Sequence, residues 1–151
     1  MEYRTTVEIA SDIGTVWAAL ADPEAWPIWQ KDVKSVEAAR PGTPMRYGSE
    51  YTVKQVWWKF DTQKIQIREV EDRRRLAFGA TTTAGEFVFE YLLSERPDRR
   101  VVVESVLRAA DMTAQASGFM GGAEIEKQLV AESTMLRDHC ESASPQDVIR
   151  G

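Results

Sequence analysis

The chain has 151 residues, 43% hydrophobic and 28% charged, with a formal net charge of -5. That length suits one domain with one core, the apolar content excludes a disordered polymer, and the acidic balance leaves no dense basic face for a nucleic-acid partner. The apolar runs are only a few residues long against the roughly 20 that a bilayer crossing takes, so no stable membrane insertion is expected. The opening MEYRTTVEIA lacks the pattern of a signal peptide, so a cytoplasmic location is expected. With one cysteine, Cys140, and one histidine, His139, neither an internal disulfide nor a metal site can be assembled, and no cofactor is expected.

Residues 3 to 9 alternate, with Tyr3, Thr5, Val7 and Ile9 on one side, and predict a half-buried first strand. Ser11 or Asp12 then offers an N-cap to a short helix carrying Ile13, Val16, Trp17 and Leu20 at helical spacing. Asp22-Pro23 repeats the signal: Asp22 caps, Pro23 takes the first helical position, and a second brief helix carries Trp26 and Trp29 as far as Gln30.

From Val33 to Asp111 the chain is rich in Val, Ile, Tyr, Phe and Thr, punctuated by turn clusters at Pro41 to Pro44, Glu71 to Arg73, Thr83 to Gly85 and Arg96 to Asp98, with another near Trp58-Lys59. Six strands result, and their short connections predict an antiparallel meander. Phe87, Phe89, Tyr91 and Leu93 alternate with Val88 and Glu90, and Val101, Val103, Ser105 and Leu107 alternate with Glu104 and Arg108; the first set of each is assigned to the concave face. The run Arg73-Arg74-Arg75 is read as a solvated turn.

A long amphipathic helix is predicted from about Gly118 to Glu141. Ile125, Leu129, Met135, Leu136 and Cys140 form its apolar stripe, interleaved with Glu126, Lys127, Glu132 and Arg137. Gly118, Gly121 and Gly122 at its start cost roughly 1 kcal/mol each relative to alanine, so either the helix begins after them or their backbone approaches something closely. Residues 142-151 are expected to be a flexible tail after a single domain over 1-141.

This order of elements, with the segment Val16-Trp17-Ala18-Ala19-Leu20-Ala21-Asp22-Pro23-Glu24-Ala25-Trp26-Pro27-Ile28-Trp29 and Leu76-Ala77-Phe78 after the arginine-rich turn, resembles the helix-grip fold of the START/Bet v 1-like (SRPBCC) superfamily and its polyketide cyclase/dehydrase group. The resemblance implies an α+β fold: a seven-stranded curved antiparallel sheet, two short helices after strand 1, and a long C-terminal helix over the concave face. It also implies a cavity between sheet and helix for a small hydrophobic ligand such as a lipid, polyketide or quinone. The expected lining is Trp26, Trp29, Tyr51, Val53, Phe78, Phe87, Phe89, Tyr91 and Ser105. The hydroxyls of Tyr51, Tyr91 and Ser105 are singled out, because a buried hydroxyl requires a partner.

No catalytic set is legible. His139 and Cys140 are adjacent on a helix and diverge by about 100°, so they form no nucleophile pair, and Glu86, Glu90 and Glu104 fall mostly on the solvent face. Three functions follow as expectations. The first is binding or carriage of a small apolar or amphipathic molecule. The second is aldol closure or dehydration of a polyketide, with Tyr51, Tyr91, Ser105 or an inward Arg68 polarising a carbonyl. The third is an interaction module, in which an exposed member of Trp57-Trp58 anchors a protein partner or a second copy in a homodimer.

Overall fold

The computed structural model describes residues 2–55, 62–82, 85–109 and 122–142. The first strand, β1 (Glu2–Ile9), buries alternate residues, and it pairs antiparallel with β7 (Val101–Ala109) so that Tyr3 faces Leu107, Thr5 faces Ser105 and Val7 faces Val103. The inward series read from each strand therefore meet on one face.

Asp12 is the cap of α1 (Ile13–Leu20): its carboxylate accepts from the Thr15 backbone N–H at 2.7 Å and from the Thr15 hydroxyl at 3.0 Å. Asp22 departs from expectation, since its side chain makes no capping bond. Pro23–Ala25 form a single 3-10 turn closed by the backbone, with Ala25 N–H donating to Asp22 C=O at 2.9 Å, and Pro23 at the first position leaves one fewer N–H to cap. The one-turn helix α2 (Trp26–Trp29) follows.

The two tryptophans hold α1 and α2 together. Trp26 Nε1–H donates to Leu20 C=O and Trp29 Nε1–H to Ala19 C=O, both at 3.1 Å. These carbonyls belong to the last turn of α1, where no intrahelical donor remains. The helix, Asp-Pro turn and paired tryptophans thus form one closed unit.

The remaining strands are β2 (Val33–Ala38), β3 (Glu50–Gln55), β4 (Thr62–Glu71), β5 (Arg75–Thr82) and β6 (Gly85–Glu95). With β1 and β7 they make a seven-stranded sheet in the order β1-β7-β6-β5-β4-β3-β2. Each neighbouring pair is antiparallel, and apart from β1 with β7 each pair is consecutive in sequence. Register shifts between Val33 and Ser35 and between Ile67 and Glu69 mark bulges, which bend a strand and increase its twist. They contribute to the curvature that leaves room for a covering helix.

That helix, α3 (Gly122–Ser142), buries Ile125, Leu129, Leu136 and Cys140. Polar contacts help to fix it. Glu141 accepts from Ala10 N–H at 2.9 Å, Met135 Sδ accepts from Lys31 N–H at 3.5 Å, and Gln128 Nε2 donates to Asp32 at 2.8 Å. The expected turn at Trp58-Lys59, Trp57 and Trp58 themselves, Gly118 to Gly121 and the tail beyond Ser142 lie outside the described residues. No described helix is long and apolar enough to cross a membrane.

The convex face is joined by ion pairs. Glu90 lies there as its alternation predicts, yet it is 3% exposed rather than solvated. Arg75 and Arg108, the latter at 3.2 Å, enclose its carboxylate and reach onward to Glu69 and Glu2. Arg75 is therefore the first residue of β5 and not part of the solvated turn, whereas Arg73 sits in that turn with φ 60. Arg68 points outward, as alternation after the buried Ile65 and Ile67 requires, and lies over Gly79 to pair with Glu86 at 2.6 Å.

Candidate functional site

A cavity of about 90 Å3 lies between α3 and the concave face. The sheet contributes Val33 from β2, Val53 and Gln55 from β3, Gln63 and Ile65 from β4, and Phe78 and Ala80 from β5. Phe87, Phe89 and Tyr91 come from β6 and Leu107 from β7, each at a position that strand alternation turns inward. Trp26 and Gln30 close one side, and Ile125, Gln128, Leu129 and Glu132 form the helical roof.

One wall is aromatic. Phe78 and Phe89 are directly opposite each other on β5 and β6 and stack with centroids 5.4 Å apart and planes within 4°. Trp26 tilts against Phe78 at 5.4 Å, and Tyr91 against Phe89 at 4.8 Å. These distances fall in the range where offset and edge-on ring pairs attract, so the wall is a continuous apolar surface.

Where Tyr91 ends this wall, the lining becomes polar. Tyr91 O–H donates to Glu132 Oε1 across the cavity from sheet to helix. Burial pushes the Glu132 carboxyl up to about 7, opposed by the Tyr91 hydrogen bond and assisted by the negative charge of Asp32. Burial raises the Tyr91 phenol well above its usual value, and the Glu132 charge raises it further, so it remains a protonated donor. Elsewhere in the lining, at the end of β3, Gln55 Oε1 is buried without a hydrogen-bond partner.

Of the nine residues expected from sequence, Trp26, Val53, Phe78, Phe87, Phe89 and Tyr91 border this cavity, while Trp29, Tyr51 and Ser105 are buried away from it. The Trp29 indole is committed to α1. Ser105 pairs with Tyr91 and Thr5 in the sheet, one register step deeper than Leu107. Tyr51 borders a surface depression with Arg46 and Ser49 instead, and burial raises its phenol. Glu132, placed among the polar residues of α3 by composition, is turned inward: it stands seven residues after Ile125 and four before Leu136, on the buried stripe itself. That spacing was the available signal. The glutamines carried none, because an amide is as common on a solvated face as on a cavity wall.

Residues 1–139 match the family model described as polyketide cyclase / dehydrase and lipid transport. The chain belongs to that family. No curated protein sequence matches it, but solved structures share its fold. The Zhui aromatase/cyclase from a Streptomyces species aligns with TM-score 0.76 at 18% identity, covering 93% of each chain. Norcoclaurine synthase from Thalictrum flavum, in complex with dopamine and hydroxybenzaldehyde, aligns with TM-score 0.70 at 11% identity over 95% of this chain and 88% of that one. A hypothetical protein from Helicobacter pylori aligns with TM-score 0.74 at 14% identity over 92% of this chain and 86% of its own. At these identities the likeness is one of fold. In this member of the family, the helix-grip arrangement of sheet and α3 places the cavity along an aromatic wall that ends in the Tyr91–Glu132 hydrogen bond.

Proposed function

We propose that this protein binds a small apolar or amphipathic molecule between α3 and the concave sheet. The observation that carries this reading is the continuous ring wall of Trp26, Phe78, Phe89 and Tyr91 facing a cavity rather than packed shut by α3. Sites for small organic molecules are concave and mostly apolar with a few polar groups fixing orientation, and the aromatic wall with its polar end has that composition. Membership in a polyketide cyclase/dehydrase and lipid-transport family supports the same reading. The volume of about 90 Å3 is below the roughly 150 Å3 that accommodates benzene in an engineered apolar cavity. Loading therefore requires a wall to retract, and the half-buried Phe89 is the ring least held by burial. Native mass spectrometry and amide chemical shifts with a panel of single-ring and larger apolar molecules test it. Stoichiometric binding with shifts around Phe78, Phe89 and Leu129 is expected, and no binding across the panel overturns the reading.

A second reading, ring closure or dehydration of a bound polyketide, is favoured by the Tyr91–Glu132 pair. A carboxyl with a pKa of about 7 beside a phenol suits proton transfer near neutral pH. The solved relatives include an aromatase/cyclase and a synthase holding dopamine and hydroxybenzaldehyde. Turnover of a poly-β-ketone analogue that disappears in Glu132→Gln while the analogue still binds supports this reading; binding with no turnover in the wild-type protein removes it.

A further inference from the structure

We infer that Glu132 sets ligand choice, so that the cavity takes an aromatic molecule bearing an O–H or N–H donor and rejects carboxylates. The inference rests on the reading of the cavity as a binding site and adds the chemical class of its occupant. Among the described residues, the lining contains no Lys, Arg or His, and its one ionisable carboxyl is Glu132. The phenol donor next to Glu132 is already committed. Tyr91 spends its single O–H on Glu132 Oε1, and Gln128 directs Nε2 to Asp32 at 2.8 Å. Acceptor capacity is left over there, since Glu132 Oε2 accepts from no described residue and Tyr91 Oη keeps lone-pair capacity, and at the β3 side of the same cavity Gln55 Oε1 is buried without a partner.

An entering donor would satisfy these acceptors. An entering carboxylate would instead meet Glu132 with Asp32 behind it, in a setting where like charges are poorly screened. The ring of the ligand would lie against Phe78 and Phe89, as aromatic surfaces prefer. The titratable groups that act on Glu132 are Tyr91 from β6 and Asp32 from the segment after α2. The Tyr91 hydrogen bond favours the ionised acceptor form while the negative charge of Asp32 opposes it, so the acceptor character is full only above the carboxyl's pKa of about 7.

Toluene, phenol, benzylamine and benzoate share one ring and differ in the polar group, so their dissociation constants, read by amide chemical shifts at pH 8, separate the two levels of inference. Phenol and benzylamine are expected to bind at least about tenfold more tightly than benzoate, equivalent to about 1.4 kcal/mol. In Glu132→Gln the deficit of benzoate should shrink to about twofold or less, with toluene unchanged. Tyr91→Phe, which keeps the carboxylate, should still reject benzoate. In the wild-type protein, lowering the pH from 8 to 6 should narrow the deficit as Glu132 takes up a proton, a readout independent of whether Glu132→Gln folds. Equal binding of benzoate, phenol and toluene overturns the role of Glu132 while leaving an apolar binding cavity. Failure of all four to bind, toluene included, overturns both.

Discussion

Glu132 shows how much one side chain's surroundings decide. Its polarity placed it with the solvated residues of α3 although its spacing lies on the inward stripe, and its role depends on meeting Tyr91, 41 residues earlier in the chain. Its pKa of about 7 lies above the ordinary 4.5, so between these values the folded protein holds a proton that the unfolded chain has lost. Stability contributed by the protonated form is therefore full below about pH 4.5 and declines as pH rises through 7. Glu132→Gln, which removes the ionisation and keeps an acceptor for Tyr91, should raise stability by about 1–2 kcal/mol at pH 8 and by little at pH 5. Urea denaturation at the two pH values measures this, and an equal effect at both would show that the carboxyl is solvated. Tyr91 itself was legible, because strand alternation alone turns it inward. Tyr51 satisfied the same alternation and still borders a different hollow, since period and face do not reveal how far along a strand the cavity extends.

Among the elements, β6 is the one whose two faces do different work. Its inward face carries the rings of the cavity, and its outward face carries Glu90, sealed by Arg75 from β5 and Arg108 from β7. The cross-strand charges tie three adjacent strands behind the aromatic wall. Removing the acid leaves two half-exposed arginines that keep other partners, Glu69 and Glu2, so Glu90→Gln should cost only about 1 kcal/mol. Replacing both Arg75 and Arg108 by Met leaves a buried, uncompensated carboxylate, and a loss of about 3–5 kcal/mol is expected. Thermal and urea unfolding of the two variants test this asymmetry, and equal losses would contradict it. The faces of β1, β6 and β7 and the stripe of α3 could be read directly, because a period of two or of 3.6 is a local property. The burial of Glu90 could not, because its cover comes from neighbouring strands.

For the molecule as a whole, α3 is both the cavity roof and the element that closes the fold against β1 and α1. Cys140 near its end is fully buried, and burial pushes its thiol up to about 12, so it is inert until α3 lifts. Its reaction with a thiol reagent at pH 8 should follow global unfolding. With toluene at about 100 times its Kd, labelling should slow roughly a hundredfold, as expected for a ligand bound only to the folded state. Fast labelling unaffected by a bound ligand would show instead that the last turns of α3 open locally.

The sequence by itself determined the class of fold, the order of elements, the inward faces and the family resemblance, because each rests on local periodicity, turn chemistry or a contiguous motif. It also named six residues that border the cavity: Trp26, Val53, Phe78, Phe87, Phe89 and Tyr91. Only the tertiary structure decided which inward residues reach open space and which are spent on packing, as Trp29 and Ser105 are. It alone brought Tyr91 against Glu132 and gathered glutamines from β3, β4 and α3 around one space. These outcomes depend on strand curvature and on how α3 lies across the sheet, which are set by contacts between residues far apart in the chain and leave no periodic trace along it.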